Sequence, residues 1–151
     1  MYLGVVMLVL LGLVGYWGQL RGPAVGPETS LAPALAANAL IYHRAVVAYS
    51  IANPAVTGTV ATASLTLPGW YASMGYWVGE VEASGAVVTR DNGTLPIATT
   101  NVAKSLAAQS AQDVGAGIVV GGMVVPWMGT AVVAAPADVP AGSLALVTQA
   151  H

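Results

Sequence analysis

The sequence predicts an α+β domain carried behind an N-terminal membrane helix. Three observations predict it. The first twenty residues hold no charged side chain. Residues 29–52 repeat apolar side chains at helical spacing. Beyond Pro54, short alternating segments are punctuated by glycine and proline turns.

Composition narrows the possibilities. The 151 residues are 56% hydrophobic and only 7% charged, against about 25% charged in ordinary soluble chains. A net charge of −2 with four Lys or Arg cannot neutralise a phosphate backbone, which excludes nucleic acid as a partner. The apolar content excludes disorder. The absence of cysteine excludes a disulfide scaffold, a thiolate metal site, a thiol nucleophile and a lipoprotein.

The first element is MYLGVVMLVLLGLVGYWGQL. Twenty helical residues span about 30 Å, the thickness of a bilayer's hydrocarbon core. Tyr2 lies at one end and Tyr16 and Trp17 at the other, as interfacial aromatics do, with Leu3, Leu10, Leu13 and Leu20 among the apolar residues of the run. Residues 1–20 are therefore expected to be a transmembrane anchor. A cleaved signal peptide would need a basic n-region and a small-residue cleavage site. No basic residue precedes the run, and Pro27 follows Ala24-Val25-Gly26, so a retained anchor is favoured. The preferred orientation places the C-terminal part outside the cytoplasm.

Residues 21–28, with Gly22-Pro23 and Gly26-Pro27, form a linker. The domain then occupies 29–151. Thr29 or Ser30 is placed to cap a long helix, with Pro33 in its first turn and Asn53-Pro54 at its end. Leu31, Leu35, Asn38, Tyr42, Ala45 and Tyr49 form one stripe of this helix, and Leu40, Val47 and Ile51 an adjacent face. His43 and Arg44 are expected toward its polar side. Thr57–Val60 and Ser64–Leu67 alternate as short strands. Tyr76–Glu82 and Ala86–Thr89 read as a hairpin with Glu80 and Glu82 on one face. Thr99 or Thr100 is placed to cap a second helix that runs from Asn101 to about Val114, with Val102 and Leu106 inward and Lys104 and Gln109 outward. Gly117–Val125 is too short to span a bilayer and reads as buried β-structure turning at Gly121-Gly122. Thr130–Ala135 and Ser143–Thr148 complete the strands, with a loop at 136–142. The fold expected is a long helix packed on a small antiparallel sheet with one further helix.

Little here carries catalysis. Histidine occurs only at 43 and at the terminal 151, and no spacing suits a metal site. His43 is expected as a surface or interface histidine. Glu80 and Glu82 are expected as a solvated pair rather than a glycosidase-like acid and base. No catalytic residue, cofactor or small-molecule substrate is expected. The aromatic residues say more: Trp70, Tyr71 and Trp127, with the basic Arg44, are the candidate interface residues.

Four segments together carry a resemblance: the uncleaved N-terminal helix; Tyr42-His43-Arg44-Ala45-Val46-Val47-Ala48-Tyr49 followed by Ala52-Asn53-Pro54; Leu67-Pro68-Gly69-Trp70-Tyr71; and Pro140-Ala141-Gly142-Ser143-Leu144-Ala145-Leu146-Val147. In their order and spacing they resemble the small PilM family of type IVb and conjugative thin-pilus biogenesis, which is distinct from the actin-like cytoplasmic protein of the same name. The resemblance implies a single-pass protein of the bacterial inner membrane with a periplasmic domain that serves pilus assembly or conjugative transfer. Its partners would be the membrane and other pilus-assembly or pilin subunits, with room for a homo-oligomer, and no catalytic residues come with it. The layout is also similar to pilins and pseudopilins, so a minor pilin subunit of the fibre is the first alternative. Met1–Leu20 lacks the basic leader and the glutamate of a prepilin. A membrane-tethered enzyme or ligand-binding module is the second alternative, and it would need His43, Glu80 and Glu82 to converge.

Overall fold

A computed structural model of the protein describes residues 27–110, 115–127 and 133–149. The expected anchor, with Tyr2, Leu3, Leu10, Leu13, Tyr16, Trp17 and Leu20, lies outside those residues, as does the linker up to Gly26. The chain divides into Met1–Ser30 and Leu31–His151, and the architecture below is that of the second unit.

A long helix, α1 (Pro27–Ala52), leads into the domain. Helix therefore already covers the expected capping residues Thr29 and Ser30, and Pro33 sits inside it rather than in its first turn. An internal proline removes one helical hydrogen bond. Tertiary packing holds the helix through it, because Ala32, Leu35 and Ala36 on either side are buried. Residues Leu31–Ala52 are long and apolar enough to cross a membrane, yet 56% of that window is buried within the protein, so this helix serves as the core helix of the domain.

Seven strands follow among the described residues: β1 (Gly58–Val60), β2 (Trp77–Val81), β3 (Ala86–Asp91), β4 (Gly115–Val120), β5 (Met123–Val125), β6 (Val133–Ala134) and β7 (Leu144–Gln149), with a second helix, α2 (Thr99–Gln109), between β3 and β4. They form one antiparallel sheet in the order β1-β2-β3-β7-β4-β5-β6. The fold is thus α+β, as expected. The last strand occupies the middle. Val88 pairs with Val147 on one side of β7, and Gly115 pairs with the same Val147 on the other.

The hairpins follow from local chemistry. Gly85 closes β2–β3 at φ +81°, and Gly121 and Gly122 close β4–β5 at +59° and +76°, a backbone region that β-carbons disfavour. The segment expected as a strand at Ser64–Leu67 differs. Thr62–Ser64 is a short 3-10 turn, and the chain after it carries no ladder. Its Leu and Thr alternate, but β1 and β3 already take both sides of β2 and leave it no place there. The cap of α2 also moves: Ala98 is the N-cap, without a side-chain bond, and Thr99 Oγ1 instead donates to the Gly142 carbonyl at 3.5 Å. Val102 and Leu106 are buried and Lys104 exposed. The helix ends at Gln109, with Ser110 extended as its C-cap, short of the expected end at 113–114.

Two apolar clusters hold the sheet. On one face, Leu35, Ala36, Ala39, Tyr42 and Val46 of α1 and Val102 and Leu106 of α2 pack with Val81, Val87, Leu144 and Leu146. On the other, Val88, Val119, Val124, Ala145 and Val147 pack with Val139 of the 136–142 loop. α1 comes close to the sheet because β2 carries a glycine there. A β-carbon on Gly79 would stand 2.6 Å from Val46 Cγ2 and 3.3 Å from a Tyr42 ring carbon. Gly79→Val is expected to cost about 2 kcal/mol through this overpacking, read as a lower midpoint in urea unfolding.

Candidate functional site

The loop that carries two of the expected interface residues, Trp70 and Tyr71, is held by one buried side chain. Asn38 lies on the inward stripe of α1, 8% exposed. Its Nδ2 donates to the Ala72 carbonyl at 3.2 Å. Its Oδ1 accepts from Trp77 Nε1 at 2.8 Å and from the Tyr71 hydroxyl at 2.9 Å. One amide thus ties α1 to the first residue of β2 and to the loop before it. Burial, with Tyr42 beside it, pushes the Tyr71 phenol up to about 12. That group therefore remains a donor at every physiological pH.

The same loop turns tightly at Pro68, whose carbonyl accepts from Tyr71 N–H at 2.8 Å. Between these two fixed points Trp70 stands out, 74% exposed, with Met74 43% exposed nearby in sequence. Tyr71, its neighbour, is half-buried and packed against the core. Trp70 and Tyr71 therefore have different jobs: one is presented, and the other holds the backbone that presents it. The third tryptophan of the domain, Trp77, belongs to the core. Trp127, just past β5, is 41% exposed, and Lys104 Nζ of α2 stands 5.4 Å from its ring centre as a cation–π contact.

Arg44 is exposed, as expected. Its setting is an outward stripe of α1 formed by Ala34, Ala37, Ile41, Arg44, Ala48 and Ile51, with the last 60% exposed. Arg44 is the only cation there. A helix apolar on both its inner and outer faces is not the amphipathic helix of an isolated globular domain.

His43 corrects the sequence reading. It is not at the surface but 1% exposed between α1 and the sheet. Nδ1 lies 3.0 Å from Thr89 Oγ1 of β3, and Nε2 lies 2.8 Å from Thr148 Oγ1 of β7. Both ring nitrogens thus find hydroxyl partners, and the ring bridges the helix to the two central strands. Its position facing the sheet follows from Gly79 and Thr89, which pair across β2 and β3 on the face toward α1. Burial, reinforced by the positive Arg44 beside it, lowers its pKa from 6.5 to about 4. Folding therefore favours the neutral ring. Stability is full above pH 6.5, falls as the pH drops from 6.5 to 4, and loses about 3 kcal/mol in all. The check is the melting temperature at pH 7 and pH 4.5 for the protein and for His43→Gln. The drop between the two pH values should be smaller in the variant, and equal drops would show that the ring does not resist protonation.

Glu80 lies on the opposite sheet face, 3.3 Å from Arg90, and accepts from Thr59 Oγ1 at 3.2 Å. Glu82 edges an open groove of about 440 Å³ on that face, beside Val133, Pro136 and Gln149. The structure therefore does not bring His43, Glu80 and Glu82 together. Among the described residues no group of three or more His, Asp or Glu side chains could hold a metal ion.

The family model PilM matches residues 6–147 of the chain. The chain belongs to the PilM family. It is also similar to a crystal structure from Pseudomonas aeruginosa 2192 that bears the name pilM protein, with 24% identity over 80% of this chain and 97% of that one, at a TM-score of 0.45. A comparison with curated proteins finds no match. PilM membership makes this a pilus-related protein, and involvement in pilus assembly with protein partners follows from it. Of the residues expected to meet such partners, Arg44, Trp70 and Trp127 stand at the surface of this PilM domain, and Tyr71 is turned inward to Asn38. Sequence reading missed Asn38 as the organising residue. The available signal was a polar side chain on an inward stripe otherwise made of Leu, Tyr and Ala.

Proposed function

We propose that this PilM-family chain is a membrane-anchored periplasmic component of a type IVb pilus or conjugative thin-pilus assembly machine, and that it acts by protein–protein contacts rather than by catalysis. The observation that carries the reading is the family match across nearly the whole chain. The surface supports it. Apart from the Trp70 loop, large apolar side chains are exposed at Ile51, Val120 and Trp127, and the outward stripe of α1 carries one charge. A surface with few charges loses little hydration when a partner covers it. The charge-free run Met1–Leu20 supports anchoring.

The test is genetic and cell-biological. Ile41→Asp and Trp127→Ala, introduced separately, are expected to reduce piliation or transfer while protein level and membrane fractionation stay normal. Normal pili in both variants would sink the contact reading. Loss of the protein itself would assign the residues to stability instead. A C-terminal reporter active only in the periplasm would support the orientation, and one active only in the cytoplasm would overturn it. Recovery of the chain in sheared pili would favour the minor-pilin alternative, to which the long helix laid on an antiparallel sheet also conforms.

A further inference from the structure

The Trp70 loop, residues 66–76, differs from the other exposed surfaces in what it lacks. No Asp, Glu, Lys or Arg occurs between Ala45 and Gly79. Pro68, Gly69, Trp70, Ala72, Ser73, Met74 and Gly75 are all exposed, so the tip offers an indole, a thioether, one small hydroxyl and bare backbone, and no charge. The polar groups beside it are already used: Tyr71 and Trp77 donate to Asn38, and the Ala72 carbonyl accepts from it. A protein-binding surface ordinarily needs polar groups that fix orientation and partner choice. A lipid surface needs none. It takes an amphipathic aromatic ring at headgroup depth and an apolar neighbour below it.

Order along the chain points the same way. The loop is pinned to the N-terminal half of α1. Leu31, two turns before Asn38 on the same stripe, is itself 46% exposed. The charge-free run Met1–Leu20 joins the chain at this end of α1.

We infer that the Trp70 loop is a lipid-contacting tip that seats Trp70 and Met74 at the headgroup–acyl boundary of the bilayer in which the chain is anchored. The inference rests on the anchored reading above. Asn38 is the positioning residue. It holds the Ala72 backbone and the Tyr71 and Trp77 side chains just after Trp70, so insertion costs little further ordering.

The protein has no cysteine, so single cysteines can be labelled one at a time in the full chain. Trp70→Cys, Leu10→Cys and Ala55→Cys, each carrying an environment-sensitive fluorophore, are reconstituted in phosphatidylethanolamine–phosphatidylglycerol vesicles with or without acyl-chain nitroxides. Ala55 is exposed just past the far end of α1. The expected result is a blue shift and nitroxide quenching at positions 70 and 10, with neither at 55. Quenching at 10 alone overturns the lipid tip and leaves the anchor standing. Quenching at 70 alone keeps the tip and removes the anchor. Quenching at neither position overturns both. A blue shift at 70 that grows with protein concentration and ignores the nitroxide assigns the tip to a second copy and overturns the lipid reading.

Discussion

Asn38→Ala is expected to lower the stability of the domain by about 3–5 kcal/mol, and it should do so by releasing a loop rather than by opening a cavity. The amide is small, so the lost volume matters little. What remains behind matters more. Trp77 is 6% exposed, and its indole N–H would keep no acceptor inside the core. A buried donor left unpaired costs about 1–3 kcal/mol. The Tyr71 hydroxyl and the Ala72 carbonyl lose the same partner and must turn toward water, taking the backbone around Trp70 with them. Two measurements separate these parts. Urea unfolding reports the total loss. Amide exchange should rise first at residues 68–76 while β3 and β7 stay protected, because those strands take nothing from Asn38. Asn38→Asp keeps an acceptor for Trp77 and Tyr71 but loses the donor to Ala72, so it should retain part of the stability. If Asn38→Ala unfolds with unchanged midpoint, the amide is not the organising residue.

Gly117→Ala is the second large expected effect, at about 4 kcal/mol, the upper end of what overpacking costs. Gly117 pairs with Ala145 in the middle of the sheet. A β-carbon there would run into the Val125 carbonyl and the Pro126 nitrogen. These are backbone atoms, so no rotamer change relieves the clash. The only remedy is to move the end of β5, which would pull Val124 out of the second apolar cluster and displace Trp127 from Lys104. The variant should therefore lose stability and alter tryptophan fluorescence together. Gly121→Ala makes the comparison: open space surrounds that position, and its positive φ alone should cost about 1 kcal/mol. Equal losses at the two positions would refute the close-approach argument.

These two residues show how unevenly the fold can be read from the chain. The β2–β3 hairpin, the Gly121-Gly122 turn and the end of α1 at Asn53-Pro54 follow from alternation and from the steric demands of glycine and proline, which act over a few residues. Asn38 and Gly117 have no such local signature. An asparagine among alanines marks an inward position, but its three partners lie 33, 34 and 39 residues away.

The candidate site divides in the same way. That Trp70, Trp127 and Arg44 would stand at the surface was legible, because tryptophan beside glycine or proline and a lone cation in an apolar helix stand out from their neighbours. That Trp70 and Tyr71 face opposite ways was not, since adjacent loop residues follow no period. His43 was misplaced for a related reason. Polar and apolar side chains are spread round α1 without sidedness. The outward stripe is as apolar as the inward one, so composition could not say which faced the sheet.

The chain alone specified most of its elements, its low charge, its family and the loop that would present a tryptophan, because these depend on residue type and short spacing. The place of β7 between β3 and β4, the inward turn of His43 toward Thr89 and Thr148, and the anchoring of the Trp70 loop on Asn38 were settled by long-range packing. Each joins residues at least 26 positions apart. Such pairings are selected by how two faces fit, with Gly79 making room for Val46 and Gly117 for the Val125 carbonyl, and no short window of sequence contains both partners.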